Sequence, residues 1–108
     1  MATKKQHETF NKQVQDLVNG LGAKESGRGT YKYIIETKAG LLYVTTHEPS
    51  DTDIFGVYCK FENIDTAKEA LGFWDCNRLN LSSGKWNFMD YDPKDLLLIF
   101  STSLKRIL

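Results

Sequence analysis

Two cysteines, two prolines and two histidines are all that this 108-residue chain holds of the residue types that most often staple, punctuate or catalyse in a small protein. Cys59 and Cys76 are too few for a disulfide framework or a four-ligand zinc centre, and both are expected as reduced structural thiols. His7 and His47 have no His or Cys neighbour at metal-ligand spacing and stand in no catalytic motif, so exposed or weakly bonded imidazoles are expected. Nothing in sequence pairs either with a nucleophilic Ser or Cys. No catalytic residue, cofactor or metal ligand is therefore assigned.

Long apolar runs and an excess of one charge are missing too. The longest run, Leu96 to Phe100, falls far short of the roughly 20 residues that span a bilayer. The segment Met1 to Glu8 carries basic residues with no apolar stretch after them, unlike a secretory signal, and the cytoplasm is the expected compartment. The 14 basic and 14 acidic side chains cancel. That removes the bulk positive charge on which general nucleic-acid binders depend, while a local basic patch stays open. A chain of this length buries roughly two-thirds of its unfolded surface on folding, enough for one core, and a single domain over 1–108 is expected.

What the chain does have is clear periodicity. Phe10, Val14, Leu17, Val18 and Leu21 form one helical stripe over 7–21, ended by Gly20 and Gly22. The segment Glu25 to Gly29 reads as loop. Tyr31–Thr37 and Leu41–His47 then read as a hairpin across Lys38-Ala39-Gly40, a type I turn closed by a glycine bulge. With Thr37 opposite Leu41, Ile34 joins Leu42 and Val44 on one face, and Ile35 joins Tyr31, Tyr33, Tyr43, Thr45 and His47 on the other. Glu48 to Asp53 is a polar loop of solvated carboxylates. From Ile54 to Glu62 the alternation places Phe55, Val57, Cys59 and Phe61 opposite Gly56, Tyr58, Lys60 and Glu62.

A short helix follows over 63–71, with Asp65 as its cap and Gly72 as its stop. The aperiodic stretch from Phe73 to Gly84 carries Phe73, Trp74, Leu79 and Leu81 and should pack down on the body. A last strand, Lys85 to Asp90, puts Trp86 and Phe88 inward. A final helix is capped by Asp92, with Pro93 at its first position and Asp95 in its first turn. The order α-β-β-β-α-β-α predicts an α+β fold with a four-stranded, mainly antiparallel sheet backed by helices.

The segments that could carry chemistry have plainer accounts. Ser82-Ser83-Gly84-Lys85 lacks the earlier glycine of a phosphate loop, since Leu79 stands there, and Trp86 follows the lysine where Ser or Thr is needed. Ser26-Gly27-Arg28-Gly29-Thr30 has the composition of an anion nest around Arg28, but a flexible connection is the favoured account, since Gly and Ser are common in any loop. Asp90, Asp92 and Asp95 could suggest a hard-cation site, but Asp92 and Asp95 already have roles at the helix start. The aromatic content is the feature to follow. Tyr31, Tyr33, Tyr43, Tyr58 and Lys60 fall on adjacent strands, with Lys85 and Asn87 beside them, a set that suits first a sheet face covered by a helix, then a protein interface, and then a base-stacking surface. Tyr43, Tyr58, Lys60, Arg28, Lys85 and Asn87 are the candidate binding residues.

The run from Phe61 through Leu71, then Cys76-Asn77, then Ser83-Gly84-Lys85-Trp86-Asn87-Phe88, resembles small proteins of phages and mobile elements of Bacteroidota. Those proteins often show a strand, a short helix and then a Ser-Gly-Lys-Trp/Tyr-Asn segment. The resemblance implies an accessory factor acting on a host protein or ligand, and carries no catalytic residues with it. Together with the composition it leads to a small cytoplasmic binding protein without catalysis. Such a protein is expected to self-associate as a homodimer through its C-terminal helix or the Tyr43 face. A nucleic-acid-binding domain is the second reading, placed behind protein binding by the zero net charge, and a small enzyme with a site assembled across the sheet is the third.

Overall fold

The computed structural model describes residues 2–72 and 78–108. Phe73, Trp74, Cys76 and Asn77, which enter the sequence reading above, lie outside the described residues. The elements run α1 Lys4–Gly20, β1 Lys24–Arg28, β2 Tyr31–Thr37, β3 Gly40–Thr46, β4 Phe55–Phe61, α2 Ile64–Leu71, β5 Phe88–Asp90 and α3 Pro93–Arg106. The fold is α+β, as its pattern predicts. Its sheet is a five-stranded antiparallel meander in the order β1-β2-β3-β4-β5. No helix among the described residues is long and apolar enough to cross a membrane.

The fifth strand corrects the sequence reading. Residues 24–28 are too polar to show a strand period, yet they pair with β2, Lys24 opposite Ile34 and Arg28 opposite Tyr31, with a register irregularity between Glu25 and Arg28. Gly27 and Gly29 take positive φ there, a conformation that glycine adopts without steric cost. An edge strand pairs on one side only and can be this polar.

Register is corrected as well. Gly40 takes the left-handed conformation expected of it, φ +88°, while Lys38 and Ala39 do not turn left-handed. The hairpin closes on Thr37 opposite Gly40, however, which sets Glu36 against Leu41, Ile35 against Leu42 and Ile34 against Tyr43. This one-residue slip exchanges faces: Ile35 joins Leu42 and Val44 inside, and Ile34 joins Tyr43 and Thr45 outside. Thr37 secures the turn by donating its hydroxyl to the Gly40 carbonyl and accepting from the Ala39 amide. The Lys38 amide donates to the Ile107 carbonyl at the end of α3.

The interior face of the sheet carries Ile35, Leu42, Val44, Phe55, Val57, Cys59, Phe61 and Phe88. All three helices press on it: Phe10, Val14 and Val18 from α1, Ala67 and Leu71 from α2, and Leu96, Phe100 and Leu104 from α3. Trp86 is completely buried, as its alternation predicts, with its ring 5.3 Å from Phe61 and 4.8 Å from Phe88. In the stretch from Phe73 to Gly84, Leu79 packs down while Leu81 stays exposed. Ile107 is buried within this core and Leu108 is partly buried against it, while Leu98 and Ile99 of α3 stay exposed.

Capping also differs in detail from the sequence reading. Asn63, rather than Asp65, caps α2 by accepting from the Thr66 amide. Asp65 sits in the first turn, where a negative charge suits the helix dipole. Thr3 and Gln6 form a capping box that starts α1 a turn earlier than its apolar stripe shows. Asp92 caps α3 as expected.

Candidate binding face of the sheet

The outer face of the sheet has no described helix on it. The register puts Ile34 and Glu36 of β2, Leu41, Tyr43 and Thr45 of β3, and Gly56, Tyr58 and Lys60 of β4 on this side. Met89 of β5 lies opposite Gly56, and Lys85 lies opposite Lys60 in an isolated bridge beyond the end of β5. Alternation adds Lys32 and Glu62, and pairing with Ile34 adds Lys24. Lysines 24, 32, 60 and 85 are solvent-exposed, and none makes an ion pair with a described residue. Two like charges directly opposite on neighbouring strands repel rather than support the pairing. Lys60 and Lys85 are such a pair.

The aromatic residues on this face divide into supports and contacts. Tyr43 is only 7% exposed and its ring lies 6.1 Å from that of Tyr31. It is part of the platform rather than a side chain a ligand could reach broadly. Tyr31, Tyr43, Lys60, Phe61 and Glu62 enclose a hollow of about 200 Å³ beside it. Tyr58 is half-buried and lies across Gly56, where an added Cβ would come within 2.7 Å of its phenol end. Gly56 is thus what lets the Tyr58 ring rest on the sheet. Desolvation by burial raises the phenol pKa of Tyr58 above its usual value, and burial first, then the Cys59 thiol, does the same for Tyr31.

Asn87 plays a different part from the one expected. Its Oδ1 accepts from the Cys59 amide at 3.2 Å, standing in for the backbone acceptor that a continuous ladder would supply. It therefore locks Trp86 and Lys85 against β4 although β5 itself begins only at Phe88. Arg28 ends β1 at the far edge, so the sheet brings Tyr58, Lys60, Lys85 and Asn87 together and leaves Arg28 apart, separated from β4 by β2 and β3.

A second polar cluster escaped the sequence reading. His7 is completely buried rather than exposed, its ring stacked 4.3 Å from Phe55. Its Nε2 lies 2.8 Å from the Thr52 carbonyl and donates to it. His7 Nδ1 and Asn11 Oδ1 are both buried without a hydrogen-bond partner among the described residues. Asn11 donates its amide to the His47 carbonyl, and His47 Nδ1 sits 2.9 Å from the Glu48 carbonyl. The signal was present: His7 falls three residues before Phe10 and seven before Val14, on the same stripe. The cluster ties α1 to the segment before β4. Its rings are hydrogen-bonded to carbonyls, not to a nucleophile, and no group of three His, Cys, Asp or Glu that could hold a metal occurs among the described residues.

The loop before β4 is also more than solvated charge. Asp53 accepts from the Ala2 amide and Asp51 from the Lys4 amide, so carboxylates distant in sequence supply the anions that the N-terminus of α1 favours. Cys59 is wholly buried, and burial pushes its thiol far above the usual range, making it a packing group rather than a nucleophile or ligand.

Compared with known proteins, the chain matches no family model, no curated sequence and no solved structure.

Proposed function

We propose that this chain is a small binding protein of the cytoplasm with no catalysis of its own, and that it binds through the outer face of its sheet. The observation behind the reading is the one-sidedness of the fold. All three helices pack on the inner face, while the outer one presents lysines that have no ion pair among the described residues, beside a half-buried tyrosine. Antiparallel sheets tolerate a solvated face, but one that opposes two lysines across strands gives up stability that an anionic partner would restore. The resemblance of the Ser83-Gly84-Lys85-Trp86-Asn87 region adds the context of a phage or mobile-element accessory factor. Self-association belongs to the same proposal, with Leu98 and Ile99, exposed on α3, in place of the buried Ile107.

Site-specific photocrosslinking tests the docking face. A photoreactive phenylalanine at Met89, which is exposed on the outer face, should give adducts in cells. The same group at Gln13, on the exposed side of α1, should not. Adducts from position 13 alone would overturn the assignment of the sheet as the docking surface.

A further inference from the structure

We propose that the occupant of the outer sheet face is single-stranded nucleic acid, its phosphates held at the Lys60 and Lys85 pair and one base stacked on Tyr58. The inference rests on the reading of that face as a docking surface and names what docks there.

Three observations choose this occupant. The first is charge. Lysines 24, 32, 60 and 85 stand on this face against Glu36 and Glu62, so a locally basic surface exists although the whole chain is neutral. Lys60 and Lys85 oppose each other directly and make no ion pair with a described residue. A phosphate between them would turn a repulsive pair into two charge-assisted contacts. Lys32 lies two strands from Lys60, roughly 10 Å away, and can take a second phosphate further along the same strand of nucleic acid.

The second observation is the aromatic support. The Tyr58 ring lies across Gly56, two residues from Lys60 on the same face, and Asn87 stands opposite it by the register of β4 and β5. Every base has a π-face, so one tyrosine held in place beside a cationic track suits single strands irrespective of sequence. The third observation separates nucleic acid from protein. The buried centres of protein interfaces are depleted in lysine, whereas phosphate-binding faces depend on it. Duplex recognition is disfavoured as well, because no described helix or ribbon projects from this face to enter a groove.

The test is fluorescence anisotropy with labelled oligo-uridine and oligo-thymidine of about 12 nucleotides, a duplex of the same length and an oligo-glutamate peptide. The single strands should bind at about 50 mM salt and lose about sevenfold in affinity by about 200 mM, the dependence expected for two neutralised phosphates. Changing both Lys60→Gln and Lys85→Gln should weaken binding about tenfold and flatten that salt dependence, and Tyr58→Ala should weaken it about tenfold with the salt dependence kept. Lys12→Gln, on α1, should change nothing. Circular dichroism of each variant confirms that it is folded.

Absence of single-strand binding at about 50 mM salt would overturn the nucleic-acid assignment while leaving the crosslinking test to judge the docking face. Binding unchanged by Lys60→Gln with Lys85→Gln would overturn the location. Tighter binding of oligo-glutamate than of either oligonucleotide would overturn the choice of occupant in favour of an acidic protein.

Discussion

Gly56 and Tyr58 show how one missing side chain shapes the outer face. A Cβ at position 56 would meet the far end of the Tyr58 ring at 2.7 Å, and a ring end can swing away where backbone could not. Alanine is otherwise the better strand residue, by roughly 0.5–1 kcal/mol, because glycine loses more conformational freedom on folding. Gly56→Ala should therefore leave stability near its starting value in the native background, the ring displacement cancelling the gain. In a Tyr58→Ala background the same change should stabilise by about 0.5–1 kcal/mol. Urea unfolding of the four proteins gives the coupling, and additive effects would show that Tyr58 does not rest on Gly56. Asn87 makes a related point. Its side chain occupies a ladder position, so a residue read from the sequence as a binding side chain instead joins two parts of the sheet.

At the scale of elements, α1 is anchored from outside itself. Its first turn has no acidic residue of its own, and the carboxylates of Asp51 and Asp53 reach its N-terminal amides from the loop before β4. The buried His7 repeats the connection through the Thr52 carbonyl. Replacing both Asp51 and Asp53 by Ala should cost about 1 kcal/mol, in the range of a lost helix cap. It should also speed hydrogen exchange in the first turn of α1 more than in its last. Equal protection at both ends of the helix in that variant would mean that the loop does not hold it. The C-terminal end of α3 is tied comparably, through the Lys38 amide and the Ile107 carbonyl, so both helix ends report on hairpins and loops distant in sequence.

For the whole molecule, the tyrosines make alkaline stability a measure of the packed state. Burial raises the phenols of Tyr58 and Tyr31, and it raises that of Tyr33 against the opposing pull of Lys12, with Glu25 and Asp16 adding to the rise. In the unfolded chain these groups return to about 10. Below about pH 10 they are protonated in both states and do not bear on the balance. Above it the unfolded chain loses its protons first, so the stability held at lower pH is lost as pH rises through the folded values. Cys59 acts in the same direction, since its thiol is also raised by burial. Urea midpoints should hold steady up to about pH 8, decline gently as the unfolded thiol titrates at about pH 9, and fall more steeply beyond about pH 10 as the phenols follow. Tyr58→Phe should make that fall shallower, and an identical alkaline decline in the variant would show that Tyr58 titrates as a free phenol.

What the sequence determined by itself follows from short-range periodicity. The stripe of Phe10, Val14 and Val18, the alternation of Phe55, Val57, Cys59 and Phe61, and the Asp92-Pro93 start of α3 are each dictated by a repeat or a cap within a few residues. They were legible because the physics that produces them is local. So was most of the candidate binding face, since Tyr58 and Lys60 must oppose Phe61 along one strand. The tertiary structure alone decided the rest. Lys24–Arg28 became a strand because β2 offered an edge, and no pattern of its own marks it. The hairpin chose Thr37 opposite Gly40, and with it the face of Ile34 and Ile35, because the helices bury one side of the sheet and a one-residue slip would turn Ile35 away from them. His7, Asp51 and Asp53 took their roles from partners some 45 to 51 residues away, and pairings at that distance leave no trace in a local window. The opposition of Lys60 and Lys85 belongs to the same class: two exposed lysines in sequence become one site only when β4 and the segment before β5 are laid side by side.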